Sequence, residues 1–307
     1  PETYESEGFD REHLHMPDSH NELISKICEI NKNVVVILSA GSPISMPWLD
    51  SVSAIVHTYL PGQAGSEAII DILLGRTNPS GKLAESYPKD IKDTPCYTTF
   101  AQPGRNALYK ESIFVGYRYY DTFNLEVLFP FGYGLSYTTF AYENITVDGN
   151  FPDLTVSFDI RNTGSVAGSE IAQLYIHHQH PTIFKAKREL KGFDKVYLEP
   201  SQSKKVSIDL GARSFSYFNT DVSDWVIENG EYEIQIGASL MDIRLKHTIT
   251  YDKNTTEIPV NCKQEFIEDY YQRQHPISIK DGTFTQLSGI PIRSEEHTSE
   301  LQSRHNL

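Results

Sequence analysis

Histidine is a common metal ligand, and three histidines lie close together in the second half of the chain. His177, His178 and His180 lie close together at the end of a predicted strand. A zinc-type site needs further ligands such as carboxylate or cysteine at a compatible spacing, and the sequence places none beside them. The pattern therefore favours loop histidines over a metal site. We expect neither a metal ion nor a cofactor.

A second candidate is the segment Gly75 to Leu83, GRTNPSGKL, which superficially resembles a phosphate-binding loop. The pattern G-x-x-x-x-G-K-[ST] needs Ser or Thr after the lysine, and it opens a helix. Here Leu83 follows Lys82, the glycines are one residue too far apart, and the segment leaves a predicted helix. We interpret it as a structural turn. Serine-hydrolase chemistry also lacks support, because the chain has no G-x-S-x-G elbow.

The densest signal is an aromatic segment from Ile113 to Phe140, which holds ten Phe or Tyr residues interrupted by Gly and Pro. Such a composition is typical of a tightly packed, irregular segment that joins two domains. Aromatic rings also line sugar-binding clefts, because the C–H faces of a pyranose pack on them. The composition favours packing and leaves a binding surface as the alternative.

The elements before this segment predict an α/β architecture. Ser19 and Glu22 form a capping-box pattern before a periodic apolar stretch. Unbroken β-branched runs predict parallel strands that are buried on both faces. In chain order the predicted elements are a helix over 19–31, strands over 34–38 and 53–60, and a helix over 66–74 that Gly75 ends.

From about residue 150 the pattern changes to a period of two. Apolar residues alternate with polar ones between turn residues, with Asn162-Thr-Gly164 as the clearest turn. The alternating stretches are 154–160, 171–176, 206–210, 232–236 and 243–245. Several short strands of this kind indicate an antiparallel β-sandwich of immunoglobulin or fibronectin type.

Charge and cysteine content exclude several classes of partner. Lys and Arg number 27 against 41 Asp and Glu, a net charge of −14. This field repels phosphate backbones and anionic lipid, so we expect no nucleic acid and no membrane partner. Cys28, Cys96 and Cys262 are far apart and odd in number, which favours small buried side chains in a reducing compartment over a disulfide scaffold.

Three long motifs occur in order: NVVVILSAGSPISMPWL, PGQAGSEAIIDILLGRTNPSGKLAESYP, and IFVGYRYYD followed by LFPFGYGLSYTTF. From about Glu5 to Tyr251 the chain resembles glycoside hydrolase family 3, the β-glucosidase-like enzymes. These enzymes join a (β/α)₈ barrel to an α/β sandwich domain, and many add a fibronectin type III-like domain. The resemblance implies a partial α/β sandwich domain followed by an all-β fibronectin type III-like sandwich.

The resemblance also implies retaining hydrolysis of terminal β-linked sugars by two carboxylates. The nucleophilic Asp belongs to the barrel, and no Asp of this chain matches its motif. The acid/base in many members is a Glu within (S/T)-E-G-(Y/F)-D-R, which Ser6 to Arg11 matches, so Glu7 is the candidate. Glu5 is its rival, and Glu7 as one more surface carboxylate beside Glu2 is the alternative. Asp10 and Arg11 are expected to brace this loop.

The expected organisation is an α/β domain over 1–135, a linker over 136–149, a fibronectin type III-like domain over 150–251, a C-terminal extension over 252–292 and a non-native tail over 293–307. Pro1 opens the chain without Met or a signal peptide, so localisation stays open, with the cytoplasm weakly favoured. The expected partners are a β-linked oligosaccharide or glycoside and the missing barrel. Without the barrel we expect the chain to be inactive. A non-catalytic scaffold or carbohydrate-binding module is the second hypothesis, and the sandwich sequence shows no obvious exposed aromatic triad for sugar capture.

Overall fold

The computed structural model describes residues 11–100, 107–183, 185–253, 269–270 and 275–292. The first part of the chain is an α/β unit, and its elements are α1 (Asp18–Ile30), β1 (Val35–Leu38), β2 (Ala54–His57), α2 (Gly65–Leu73), β3 (Tyr87–Pro88), α3 (Tyr117–Thr122) and β4 (Val127–Phe129). Strands β1 and β2 pair in parallel, as predicted, and β3 pairs with β4 antiparallel. In the described ranges no helix is long and apolar enough to cross a bilayer.

The two predicted helices exist, but the predicted capping box is wrong. Helix α1 begins at Asp18 after an extended Pro17, and no side chain caps its first turn. Ser19 therefore lies inside that turn, where its side chain cannot act as the N-cap. The end of α2 agrees with the sequence, because Gly75 has φ +69° and accepts the left-handed conformation that follows a helix.

Strand β1 is buried on one face only, which corrects the prediction of two buried faces. Val36 and Leu38 are buried, whereas Val35 and Ile37 are 45% and 44% exposed. The buried side faces an apolar cluster that includes Trp48. Because a strand's side chains alternate between faces, the unbroken β-branched run supplies one apolar face that nothing described here covers.

The second part of the chain is a β-sandwich, as predicted. Its strands are β5 (Phe140–Asn150), β6 (Asp153–Asn162), β7 (Gly168–His178), β8 (Glu189–Leu198), β9 (Ser203–Leu210), β10 (Tyr217–Asn219), β11 (Asp224–Val226), β12 (Gly230–Ser239) and β13 (Asp242–Tyr251). One sheet has the order β5-β6-β9 and the other β13-β12-β7-β8. Their facing sides share one apolar core, with Phe158, Leu174, Ile234 and Ile236 buried in it. Strands β10 and β11 form a separate hairpin.

The sequence predicted no strand at six positions where the structure has one, namely β3, β4, β5, β8, β10 and β11. The two longest of these are β5 and β8. Strand β5 begins at Phe140, inside the predicted linker 136–149, and its period is interrupted by a register shift where Asn144 has φ +59°. Strand β8 was missed because Gly192 and Asp194 occupy positions that would otherwise signal an apolar face. A Cβ on Gly192 would lie 2.6 Å from the Ile208 side chain, so glycine permits the close approach of β9 there.

Buried polar contacts join the α/β unit to the sandwich. The aromatic segment supplies many of them and is mainly a packing element, with Phe114, Tyr119 and Tyr120 buried. The contacts are the Arg188–Asp121 ion pair, the Lys82–Glu170 ion pair at 3.0 Å, and the hydrogen bond from Gln173 Nε2 to the Gly132 carbonyl at 3.1 Å.

The described part of the C-terminal extension packs back on the aromatic segment. Ile277 and Ile279 belong to the same buried cluster as Tyr119, and α4 (Asp281–Ser288) follows them. The Tyr119 hydroxyl lies 2.5 Å from His275 Nδ1. The sequence had assigned no independent domain here, and this segment folds as part of the α/β unit's surface. The predicted tail 293–307 lies outside the described residues.

Candidate functional site at the carboxyl ends of β1 and β2

The predicted acid/base lies outside the described residues, the first of which is Arg11. Glu7, Glu5, Glu2 and Asp10 therefore stay sequence predictions. Arg11 itself is half-buried. Its Nη1 donates to Ser42 Oγ at 2.6 Å and to the Pro43 carbonyl at 3.2 Å. The last residue of the predicted motif is thus attached to the loop after β1.

The loop after β1 is attached in turn to the end of β2. The Ser39 hydroxyl donates to the Tyr59 carbonyl at 3.0 Å, and Thr58 donates twice to the Leu38 carbonyl, from N at 2.9 Å and from Oγ1 at 2.8 Å. Because β1 and β2 are parallel, both carboxyl ends meet at one edge, where α/β proteins commonly place ligands. Arg11 is therefore held at that edge.

Four side chains at this edge form a hydrogen-bonded cluster that sequence reasoning missed. The Tyr59 hydroxyl donates to Glu85 Oε1 at 3.0 Å, and the Tyr87 hydroxyl lies 2.6 Å from His57 Nε2. The His57 and Tyr59 rings are 4.0 Å apart. Tyr59 has φ +50°, which is uncommon for a bulky residue and indicates a constrained turn. No local pattern links these four positions, since their contacts form only after β2 and β3 come together.

Burial changes the protonation of this cluster. It raises the pKa of Glu85 above the ordinary value, although the hydrogen bond from Tyr59 opposes the rise. Burial, together with the nearby charge of Glu85, raises the pKa of Tyr59 to about 12. Burial also lowers the pKa of His57, so the imidazole favours its neutral form. The edge thus holds a carboxyl that binds a proton more tightly than an ordinary glutamate, next to a phenol that stays protonated.

The histidine group is not the loop cluster that the sequence predicted. His177 and His178 belong to β7, and His178 is buried with its ring stacked on Tyr232 at 4.3 Å. His178 Nδ1 lies 3.5 Å from Glu228 Oε2, a contact too long for a good hydrogen bond. Within the described residues no three His, Cys, Asp or Glu side chains are placed to hold a metal ion.

The Gly75–Leu83 segment has a structural role, in agreement with its interpretation as a turn. Asn78 Nδ2 donates to the Ala167 carbonyl at 3.0 Å, and Asn78 Oδ1 accepts from Tyr137 N at 2.8 Å. Lys82 pairs with buried Glu170 at 3.0 Å. Lys82 and Asn78 of this segment therefore bond to residues of the sandwich and do not serve as phosphate ligands.

Two features define the class of protein. One is an α/β unit with a cluster of polar side chains at the carboxyl ends of its parallel strands, and the other is the fibronectin-like sandwich that follows it. The description "Glycosyl hydrolase family 3 C-terminal domain" matches residues 1–137, and "Fibronectin type III-like domain" matches residues 170–240. Residues 1–137 thus match the C-terminal domain of glycoside hydrolase family 3, which confirms the resemblance and the fold class.

The relatives are longer than this chain. It is 46% identical over 253 residues to thermostable beta-glucosidase B of Acetivibrio thermocellus, covering 81% of this chain and 34% of that protein. It is 42% identical over 245 residues to exo-alpha-(1->6)-L-arabinopyranosidase of Bifidobacterium longum, covering 79% and 32%. The GH3 beta-glucosidase of Bifidobacterium adolescentis superposes with a TM-score of 0.80 at 39% identity, covering 88% and 40%. The chain thus spans about a third of the length of the curated relatives it matches.

Proposed function

We propose that this chain forms the C-terminal domains of a retaining β-glucosidase in which Glu7 is the general acid/base. The proposal divides the chain into an α/β domain over 1–135, which carries Glu7, and a sandwich that supports it. The attacking Asp would come from a barrel domain outside this chain. The observation that carries the proposal is the match of residues 1–137 to the family 3 C-terminal domain, with the S-E-G-F-D-R motif at its start.

The attachment of Arg11 supports this role. A general acid must be held within hydrogen-bond reach of the glycosidic oxygen, and misplacement lowers the rate steeply. Arg11 follows Glu7 by four positions and is attached to Ser42 and Pro43 by two hydrogen bonds. These bonds hold the last residue of the motif near the carboxyl edge of β1 and β2.

The exposed apolar side chains of the α/β unit support the proposal that a barrel domain packs against it. Exposed apolar side chains occur on α1, on β1, on α2 and at the residue that follows α2, and they are Leu23, Ile27, Ile30, Val35, Ile37, Ile70, Leu73 and Leu74. Monomeric domains rarely leave a large contiguous apolar surface in water. A further domain of the same protein that packs against these elements would also close the sugar cleft.

The proposed mechanism uses the two carboxyls in sequence. The barrel Asp attacks the anomeric carbon while protonated Glu7 donates its proton to the leaving oxygen, so the glycosidic bond breaks and the alcohol departs neutral. Ionised Glu7 then removes a proton from water, which attacks the anomeric carbon and releases the Asp. An apolar, sugar-filled cleft would raise the pKa of Glu7 towards the working pH. The net stereochemistry is retention.

The test compares Glu7→Gln with Glu5→Gln in the longer gene product, or with a family 3 barrel supplied in trans. General acid catalysis contributes about 10²–10⁴-fold, so Glu7→Gln should lose that much kcat/KM on aryl glucosides with poor leaving groups. Activated leaving groups need less protonation and should lose less. Azide needs no general base, so it should rescue turnover and yield β-glucosyl azide.

Glu5→Gln is the matched control and should retain wild-type kinetics with both classes of leaving group. If Glu7→Gln turns over poor leaving groups at the wild-type rate, Glu7 is not the acid/base. If instead Glu5→Gln shows the leaving-group dependence and the azide rescue, the role belongs to Glu5. The chain alone should show no hydrolysis, because the attacking carboxylate is not in it.

A further inference from the structure

Two aromatic rings are exposed on the β10–β11 hairpin of the sandwich. Phe218 and Trp225 occupy directly paired positions on the two strands. Their ring centroids are 5.5 Å apart with an interplanar angle of 67°. Phe218 is 48% exposed and Trp225 43% exposed. The sequence had shown no such group, because the two rings come from strands too short to display a period.

A cation fixes the indole ring from one side. The guanidinium carbon of Arg213 lies 3.1 Å from the centroid of the Trp225 ring. Arg213 comes from a short 3-10 helix, Ala212–Ser214, and not from the hairpin itself. Arg213 covers one face of the indole, and Trp225 is nevertheless 43% exposed. The ring is therefore held in place and still open to a ligand.

The exposed rings of Phe218 and Trp225 do not anchor the hairpin to the sandwich. Its strands are three residues each and pair only with each other among the described strands. A hairpin of this length is not stable by itself, and it is anchored here by buried Phe215 and Asn219. Phe218 and Trp225 lie outside that anchor. Their exposure leaves apolar area in water that a ligand would cover.

The chemistry of the site selects the ligand. The net charge of −14 disfavours anions. Two rings and a guanidinium offer far less area than the roughly 1,000 Å² of a stable protein interface, so a small ligand fits better than a protein. A β-linked glucose ring has equatorial substituents, which leaves C–H groups on both faces to pack on an indole. The Arg213 guanidinium over Trp225 and the Asp224 carboxylate on β11 both suit hydroxyl groups.

We propose that Arg213, Phe218 and Trp225, the aromatic hairpin site, form a secondary binding site for a neutral β-linked gluco-oligosaccharide. The site does not involve Glu7 or the barrel. It would hold a glucan chain on the sandwich. Because the sandwich is within this chain, the proposal is tested on the chain alone, and its failure is distinct from failure of the acid/base assignment.

The chain contains two tryptophans, and this makes the test specific. Trp48 is 2% exposed, so a ligand-dependent change in tryptophan emission reports Trp225. Titration of the 307-residue chain with cellotetraose should give a saturable change, with a dissociation constant on the order of 1 mM for contact with one or two sugar rings. Maltotetraose, whose α-linkages curve the chain away from a flat ring, should bind at least about fivefold more weakly.

Variants locate the site. Calorimetry on Trp225→Ala and fluorescence on Phe218→Ala and Arg213→Gln should each show binding weakened by at least about fivefold, while Trp225→Phe keeps a ring and loses less. Phe193→Ala is the matched control, because Phe193 is a 67% exposed aromatic on β8. Urea unfolding confirms that each variant is folded. Absence of saturable binding, equal affinity for both tetrasaccharides, or unchanged binding by Trp225→Ala would each overturn the proposal.

Discussion

Replacing Asp121 with asparagine should destabilise the protein more than most surface changes. Arg188 Nε donates to Asp121 Oδ2 at 2.8 Å, Arg188 Nη2 donates to Oδ1, and Arg188 Nη1 donates to the Leu240 carbonyl at 2.9 Å. The side chains are 3% and 10% exposed. Asp121→Asn keeps the shape of the carboxylate and removes its charge. The buried guanidinium then lacks a counter-ion.

The magnitude follows from this burial. Breaking a buried pair by removing one partner costs about 3–5 kcal/mol, because the remaining charge stays desolvated. We expect about 3 kcal/mol for Asp121→Asn, since the amide oxygen still accepts one hydrogen bond from Arg188. With a urea m-value of about 1–3 kcal/mol/M, the unfolding midpoint should fall by about 1–3 M. Urea titration followed by circular dichroism measures both quantities.

Two comparisons make the result interpretable. Asp71→Asn removes an exposed pair with Arg76 and should cost less than about 1 kcal/mol. The double change Asp121→Leu with Arg188→Met removes both charges and should recover part of the loss, because no uncompensated ion is left. If Asp121→Asn unfolds within about 0.5 kcal/mol of the wild type, the change behaves like an ordinary surface substitution and the inferred cost of the buried charge is wrong.

Two other predictions concern stability. Burial opposes ionisation of Glu228, yet two hydrogen bonds from Thr182, with the His178 imidazole nearby, hold its pKa below the ordinary value. The stabilisation from the ionised carboxylate is therefore complete above about pH 4.5 and is lost as the pH falls through the folded pKa. Glu228→Gln should remove that part of the acid-range slope of the urea midpoint, and an unchanged slope would refute this. A Cβ on Gly132, where φ is +78°, would lie 1.9 Å from Gln173 Oε1, so Gly132→Ala should lower the free energy of unfolding by about 1–3 kcal/mol in urea titration. Gly81→Ala meets no atom within 4 Å and is its control, and equal losses in both would contradict the argument.

The sequence predicted the sandwich well where each strand buries one face in a local, repeating pattern. Strand β6 is the clearest case, since its alternating apolar residues all reach the core. Prediction failed where one residue breaks the period, as Asn144 does in β5, or where glycine replaces an apolar residue, as Gly192 does in β8. These positions are set by the neighbouring strand, and a single-sequence pattern does not contain that neighbour.

The candidate site was harder to predict because its contacts are non-local. Tyr59 lies in the loop after β2 and Glu85 in the loop before β3, and neither residue type at its own position indicates a site. Arg11 was expected to brace its loop, but only the structure shows that Ser42 and Pro43 receive its hydrogen bonds. Motif recognition found Glu7 without any of these contacts, so that assignment depends on family resemblance and needs its own kinetic test.

The two parts of the chain differ in how completely they bury their apolar side chains, and this decides which controls each experiment needs. The sandwich encloses one apolar core between two sheets, so a change such as Trp225→Ala is expected to report ligand binding directly. The α/β unit leaves Val35 and Ile37 exposed on its small parallel sheet. Changes near the β1–β2 edge can therefore act on stability as well as on catalysis. Unfolding midpoints must accompany every kinetic comparison there, because a shift in both would assign the effect to folding rather than to the acid/base.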